Sequence, residues 1–280
     1  MQLTIETTSL LVILANFLVS LQGFKQFDFR QRYLLRVDAI LYRREYHRLL
    51  TAGFLHSGWS HLIFNMLALY LFAPAMDAVG MPIWGFLTIY VGSLLGGNLL
   101  ALGLHRHHDD YSALGASGAV NGVIFATIAI MPGISVWFIP GWIFGILYML
   151  ATIYGIKSQY GRISHEAHLG GALIGIIGAV IFYPQIMMTH PLVIVGLIVP
   201  ASAFLILVYV RPETLLIPNS FPGEMSRVRE TVGRSINSRQ QNESQLTPEE
   251  EIDQLLDKGI ENLTQKERKR LEELSRMLGK

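Results

Sequence analysis

The stretch Leu114–Val123, LGASGAVNGV, sets one hydroxyl, Ser117, among small residues at the start of a long apolar run. A serine there is a helix-packing residue, a turn former or a nucleophile. As a nucleophile it needs a base to take its proton, and histidine is the usual one. Strongly polar side chains in apolar runs are few: His61, Asn65, Asn98, Ser117, Asn121, His165, Glu166 and His168. Such groups are costly in a bilayer and are candidates for function. His61 and Asn65 are four apart and share a helix face. Both donate hydrogen bonds, as an oxyanion hole requires, alongside the backbone N–H of Ser117. No intramembrane aspartate is placed to orient His168, so the minimal unit is a Ser117–His168 dyad.

The elements that carry these residues are read as membrane spans. Of 280 residues 51% are hydrophobic and only 15% charged. Runs of about 18 or more apolar residues predict seven spans, at 8–24, 59–77, 82–104, 111–131, 134–154, 164–184 and 190–210. The first has no basic lead and no cleavage site, and it reads as a retained span. Spans two, four and six run in one direction. His61, Ser117 and His168 each lie near the start of one of them, so all three are expected at one level, roughly 5–10 Å below the same surface. The net charge of +1 offers no attraction for nucleic acid, and the absence of cysteine excludes disulfides and thiolate metal sites. No cofactor is expected.

The segment 25–58 mixes arginines with Tyr33, Leu34, Leu35, Ile40 and Tyr46. It predicts a folded piece at the membrane interface. The predicted domains are a membrane domain over 1–211, a polar linker over 212–246 and a small helical hairpin over 247–280. The hairpin has capping signals at Thr247/Glu250 and Thr264/Glu267 and a predicted stop at Gly259. It carries no catalytic set and is expected to be a docking or regulatory module, with a partner of its own.

Three separated motifs, HSGWSHLIFNMLA (56–68), GASG (115–118) and AHLGGALIG (167–175), resemble the signatures of the rhomboid intramembrane serine proteases. The resemblance covers about 1–184. It implies an all-α polytopic fold with a six-helix core, here followed by one additional span and a short soluble helical tail. It implies Ser117 as nucleophile, His168 as base, and His61 and Asn65 as oxyanion donors. It also implies that Gly115, Gly118, Gly171 and Gly175 let helices approach closely at the site, in line with small-xxx-small packing. The expected activity is cleavage of transmembrane proteins near the membrane surface, with entry between spans two and five. The expected setting is a bacterial inner membrane. The competing reading is a rhomboid-like protein that binds membrane clients without cutting them. A transporter is a weaker rival, because its polar sites lie at mid-bilayer.

Three features depart from the family pattern. His47-Arg48 stands where Trp-Arg is usual. Asn121, four after the serine, occupies a position that is often aromatic and packs on the catalytic histidine. Lys and Arg crowd the side of the 25–58 loop, which the positive-inside rule assigns to the cytoplasm, whereas the family places that loop outside. The family orientation is the expectation adopted. HEAH (165–168) lacks one residue of the His-Glu-x-x-His zinc spacing, and HRHHDD (105–110) reads as a solvated loop rather than a metal site.

Overall fold

A computed structural model describes residues 4–158, 163–211, 248–257 and 263–277. Contacts divide the chain into two units, Met1–Leu216 and Ile217–Lys280. The first unit is a mainly helical membrane bundle. Among the described residues, six helices are long and apolar enough to cross a bilayer: α1 (Ile5–Lys25), α5 (Trp59–Ala78), α6 (Ile83–Leu104), α8 (Gly141–Ser158), α9 (His165–Phe182) and α11 (Pro191–Val210). Between them the chain forms α2 (Phe27–Tyr33), β1 (Leu35–Arg36), α3 (Val37–Leu41), α4 (Arg48–Thr51), β2 (Ser112–Ala113), α7 (Ser117–Ile130), β3 (Ser135–Val136), β4 (Ile139–Pro140) and α10 (Ile186–Thr189).

Helix α7 is the centre of the bundle. Every residue from Gly118 to Ala129 is buried, and α6 and α9 flank it. Small residues make this possible. A Cβ added at Gly171 would strike the carbonyl of Gly118, and one at Gly175 would strike the carbonyl of Gly122. A Cβ at Gly97 would strike the Ala167 carbonyl, so α6 and α9 also touch backbone to backbone. In lipid the apolar effect gives helices little reason to associate, and such close packing supplies much of the attraction.

Two spans start six or more residues later than predicted. The fourth, expected over 111–131, is a helix only from Ser117, 14 residues and about 21 Å long. Gly115 takes φ +135°, a backbone setting outside any helix, and residues 112–113 pair as a strand. The fifth, expected over 134–154, runs Gly141–Ser158 instead. Pro132, Gly133 and Pro140 resist a helix here, and 135–140 form a tight β3–β4 hairpin with Trp137 at φ 58°.

The 25–58 segment is folded. Leu35, Val37, Ile40 and Ala52 form a small core with Leu102 of α6. Strand β1 pairs antiparallel with β2, Leu35 opposite Ala113. Arg48 is buried and holds the segment together. It donates to Glu45 Oε2 at 2.6 Å and to the carbonyls of Gln31 and Leu34, both at 2.8 Å. His47, in the place of the usual tryptophan, sets its ring edge-on to Tyr33 at 6.2 Å. Asn98 of α6 donates to the Leu49 carbonyl at 2.8 Å, tying this segment to the bundle.

In the second unit, α12 (Pro248–Asp257) and α13 (Gln265–Met277) pack around Leu255, Leu263 and Leu274. Thr264 caps α13: its N–H and hydroxyl both reach Glu267 Oε2, at 2.9 and 2.7 Å. The linker 212–246, the cap at Thr247 and the stop at Gly259 lie outside the described residues.

Candidate active site

Ser117 is the first residue of α7, and its position is fixed from three directions. Strand β2 anchors the chain just before it, and the Gly115 N–H donates to the Ala52 carbonyl at 3.0 Å. The Ala116 N–H points at His56 Nε2 at 3.4 Å. His56 is fully buried, and its Nδ1 lies 2.8 Å from Ser20 Oγ of α1. Ser20 in turn donates to the Phe54 carbonyl at 2.9 Å. One proton assignment satisfies the whole chain: Nδ1–H donates to Ser20, and the bare Nε2 accepts from Ala116. Burial, with His61 beside it, lowers the His56 imidazole to about 3, so the ring stays neutral as that assignment requires.

The Ser117 N–H is one of the four amides that a helix start leaves without an intrahelical partner. It also sits at the positive end of the α7 dipole. Both facts suit a developing oxyanion.

His61 and Asn65 arrive on α5. The His61 ring lies directly over Gly115: a Cβ there would come within 2.8 Å of Cε1 and of Nε2, and within 3.6 Å of Ser117 Oγ. His61 Nδ1 lies 3.1 Å from the Ser57 hydroxyl and 3.5 Å from the Ser57 N–H. With Nδ1 as acceptor, the ring keeps its proton on Nε2, the atom that faces Gly115. Asn65 Nδ2 donates to the His61 carbonyl at 2.9 Å, which leaves its second amide hydrogen free to point inwards.

His168 arrives on α9, one turn into the helix. Its ring lies nearly parallel to Tyr148 of α8, centroids 6.4 Å apart and planes at 27°. Tyr148 Oη is 3.3 Å from His168 Nδ1. Asn121, one turn after Ser117, donates from Nδ2 to the Ser117 carbonyl at 2.8 Å.

Ser117, His168, His61 and Asn65 all line one cavity of 1010 Å³. Its other end is apolar, running between α5 (Phe64, Leu71) and α8 (Phe144) to Val136 and Trp137 of the hairpin. Gly118 and Gly171, as described, bring α7 and α9 together beneath the serine and histidine. Three participants escaped the sequence reading. His56 opens the HSGWSH motif, but its five-residue offset from His61 puts the two on no common helix face. Ser57 looks like a turn residue, and Tyr148 is hidden in the apolar run of α8.

The other polar cluster is structural in its bonding. His105 Nε2 lies 3.2 Å from Glu166 Oε1, its Nδ1 lies 3.2 Å from His108 Nδ1, and its ring stacks on Tyr111 at 3.7 Å. Among the described residues no group of three or more His, Asp or Glu is arranged to hold a metal ion.

Against known proteins, the model of the Rhomboid domain matches residues 43–185, just over half of the chain. The chain belongs to the rhomboid family. A second model, a family of unknown function (DUF6576), matches residues 235–277. RHOMBOID-like protein 12, mitochondrial, of Arabidopsis thaliana is 28% identical over 182 residues, covering 58% of this chain and 49% of the relative. The putative rhomboid protease YdcA of Bacillus subtilis is 40% identical over 80 residues, 28% of this chain and 38% of the relative. Rhomboid protease GluP of the same organism is 27% identical over 145 residues, 51% of this chain and 27% of the relative. This rhomboid chain thus spans half or less of these relatives' own lengths. It is an integral, multi-pass membrane protein.

Proposed function

We propose that this rhomboid is an intramembrane serine endopeptidase that cuts transmembrane proteins near one membrane surface through Ser117 and His168. The observation that carries the reading is the convergence of Ser117, His168 and His61, from three helices, on one cavity that continues as an apolar groove. The expected inner membrane of a bacterium is part of the proposal; the relatives include bacterial proteins and one named as mitochondrial.

His168 Nε2 takes the proton as Ser117 Oγ attacks a substrate carbonyl. Negative charge then develops on the carbonyl oxygen. The Ser117 N–H, His61 Nε2–H and the free amide hydrogen of Asn65 are the donors available to it. Collapse breaks the C–N bond, His168 returns the proton to the leaving amine, and an acyl-enzyme remains on Ser117. Water, activated by the same histidine, releases the acid. The apolar groove between α5 and α8 suits a substrate segment entering sideways from lipid. A helix has no carbonyl to offer until it unwinds, because its backbone groups are already paired. Small or helix-breaking residues near the cut are therefore favoured.

The test is cleavage of a panel of transmembrane segments by the purified protein in liposomes, beside Ser117→Ala. Wild type is expected to cut and to label with a fluorophosphonate at Ser117, and the variant to do neither. Equal cleavage by both would remove Ser117 from the chemistry. Binding of segments without cleavage by either would favour the client-binding reading.

A further inference from the structure

We propose that the tip of the β3–β4 hairpin, Trp137 and Phe138, is a second substrate-binding site, which holds the transmembrane segment being cut at a point deeper in the membrane than its scissile bond. The proposal rests on the Ser117–His168 reading and adds to it what selects the substrate.

The cavity that begins at Ser117 does not end with the chemistry. Along α7 it follows one side of the helix, through Ser117, Val120, Asn121 and Ile124, at the spacing of residues that share a face. Along α5 it continues from His61 to Phe72, a rise of about 16 Å. Trp137 and Phe138 line the same cavity. Both are nearly bare, 87% and 88% exposed, with ring centroids 6.3 Å apart. Anchoring at a headgroup layer accounts for exposed aromatic rings in general. It accounts neither for their place on the wall of the cavity that holds the site nor for the backbone beneath them.

Val136 pairs with Ile139, so Trp137 and Phe138 are the whole loop of a two-residue hairpin. Trp137 has φ 58° and Phe138 has no positive φ. That combination fits the type II′ turn, whose first central position is normally glycine. A bulky residue with positive φ is strained, and such strain gathers at ligand contacts. The chain keeps a tryptophan where glycine would make the easier turn, so the position supplies a ring rather than a bend. The occupant that fits is a substrate segment lying in the groove between α5 and α8. Below His61 the groove is largely apolar, so the part of the segment lying there keeps its backbone paired as a helix, while the residues at Ser117 are drawn out. Covering the 16 Å takes about 11 helical residues, or about 7 if the first three are extended. The hairpin therefore reads a bulky apolar side chain that many residues deeper than the cut.

The experiment uses the full chain in liposomes and has two arms. In the first, the Ser117→Ala protein is mixed with a transmembrane segment carrying one benzoyl-phenylalanine, moved residue by residue through its length. Light is expected to join the probe to Trp137 or Phe138 only from the depth given above, and cross-links from that depth that all miss the hairpin would overturn the proposal. In the second, Trp137→Gly and Phe138→Ala are compared with wild type on the transmembrane segment and on a short water-soluble peptide with the same cut sequence. Each variant is expected to raise the ratio of the two KM values about tenfold, the scale of one aromatic contact. An unchanged ratio in both would overturn the proposal, because the rings would then serve the fold or the lipid alone. Trp137→Gly is also expected to melt no lower than wild type, since glycine relieves the turn; a lower melting temperature would make the tryptophan a packing residue and count against it. Cross-linking needs no turnover, so it reads the hairpin even if Ser117→Ala still cut, a result that would instead sink the dyad.

Discussion

At the scale of single residues, two positions govern the geometry around Ser117. Gly115 has φ +135° and lies beneath the His61 ring. An alanine there would be strained by its backbone alone, and its methyl would push His61 away from the serine. Gly115→Ala is expected to cost about 2 kcal/mol of stability and to abolish fluorophosphonate labelling at temperatures where the protein is still folded. Wild-type labelling would remove His61 placement from the list of requirements. His56 carries a pH dependence. Its imidazole, lowered by burial to about 3, stays neutral in the fold, while an unfolded histidine protonates near 6.5. The unfolded chain therefore binds a proton that the native one refuses, and stability falls as the pH drops from about 6.5 towards 3. Thermal melts of wild type and His56→Gln over that range are expected to converge at low pH. Parallel curves would mean that the histidine contributes nothing to acid sensitivity.

At the scale of elements, the glycine seam between α7 and α9 sets how closely the serine and histidine helices approach. A methyl at Gly171 would meet the Gly118 carbonyl, a backbone atom that cannot rotate aside. Gly171→Ala is expected to cost about 3 kcal/mol and to lower kcat more than KM, because it separates Ser117 from His168 without touching the groove. A variant with unchanged melting and kcat would show that the seam has slack. Much of this was legible beforehand. The motif spacing gave the helices that carry Ser117, His61 and His168, and the glycines at 118 and 171 announced a close pair. The β3–β4 hairpin was not, because an apolar run with Ile134, Val136, Trp137 and Phe138 is as hydrophobic as a span. Only Pro132, Gly133 and Pro140 argue otherwise. Tyr148 and His56 were equally hidden, since each acts through a partner on a different helix that no sequence offset connects.

At the scale of the whole molecule, charge is distributed unevenly between the two ends of the membrane unit. Lys25, Arg30, Arg32, Arg36, Arg43, Arg44, Arg48, Arg106, Lys157 and Arg211 lie at the end that holds the site, and the connections 79–82, 131–140 and 183–190 carry no Lys or Arg. The family orientation puts the site end away from the cytoplasm, against the positive-inside rule. Reporters fused within 25–58 are expected to read outside; a cytoplasmic reading would make the arginines the stronger determinant and would move the cleaved end of any substrate to the cytoplasm. A last consequence follows from the 14 residues of α7. At about 21 Å that helix is roughly 9 Å shorter than the hydrocarbon layer of an average membrane. Its neighbours of 18–22 residues enclose it, so that shortfall is met inside the protein and not by the lipid. A short central helix among longer ones leaves a well with protein walls, and Ser117 stands at its floor, where water can gather out of reach of the acyl chains.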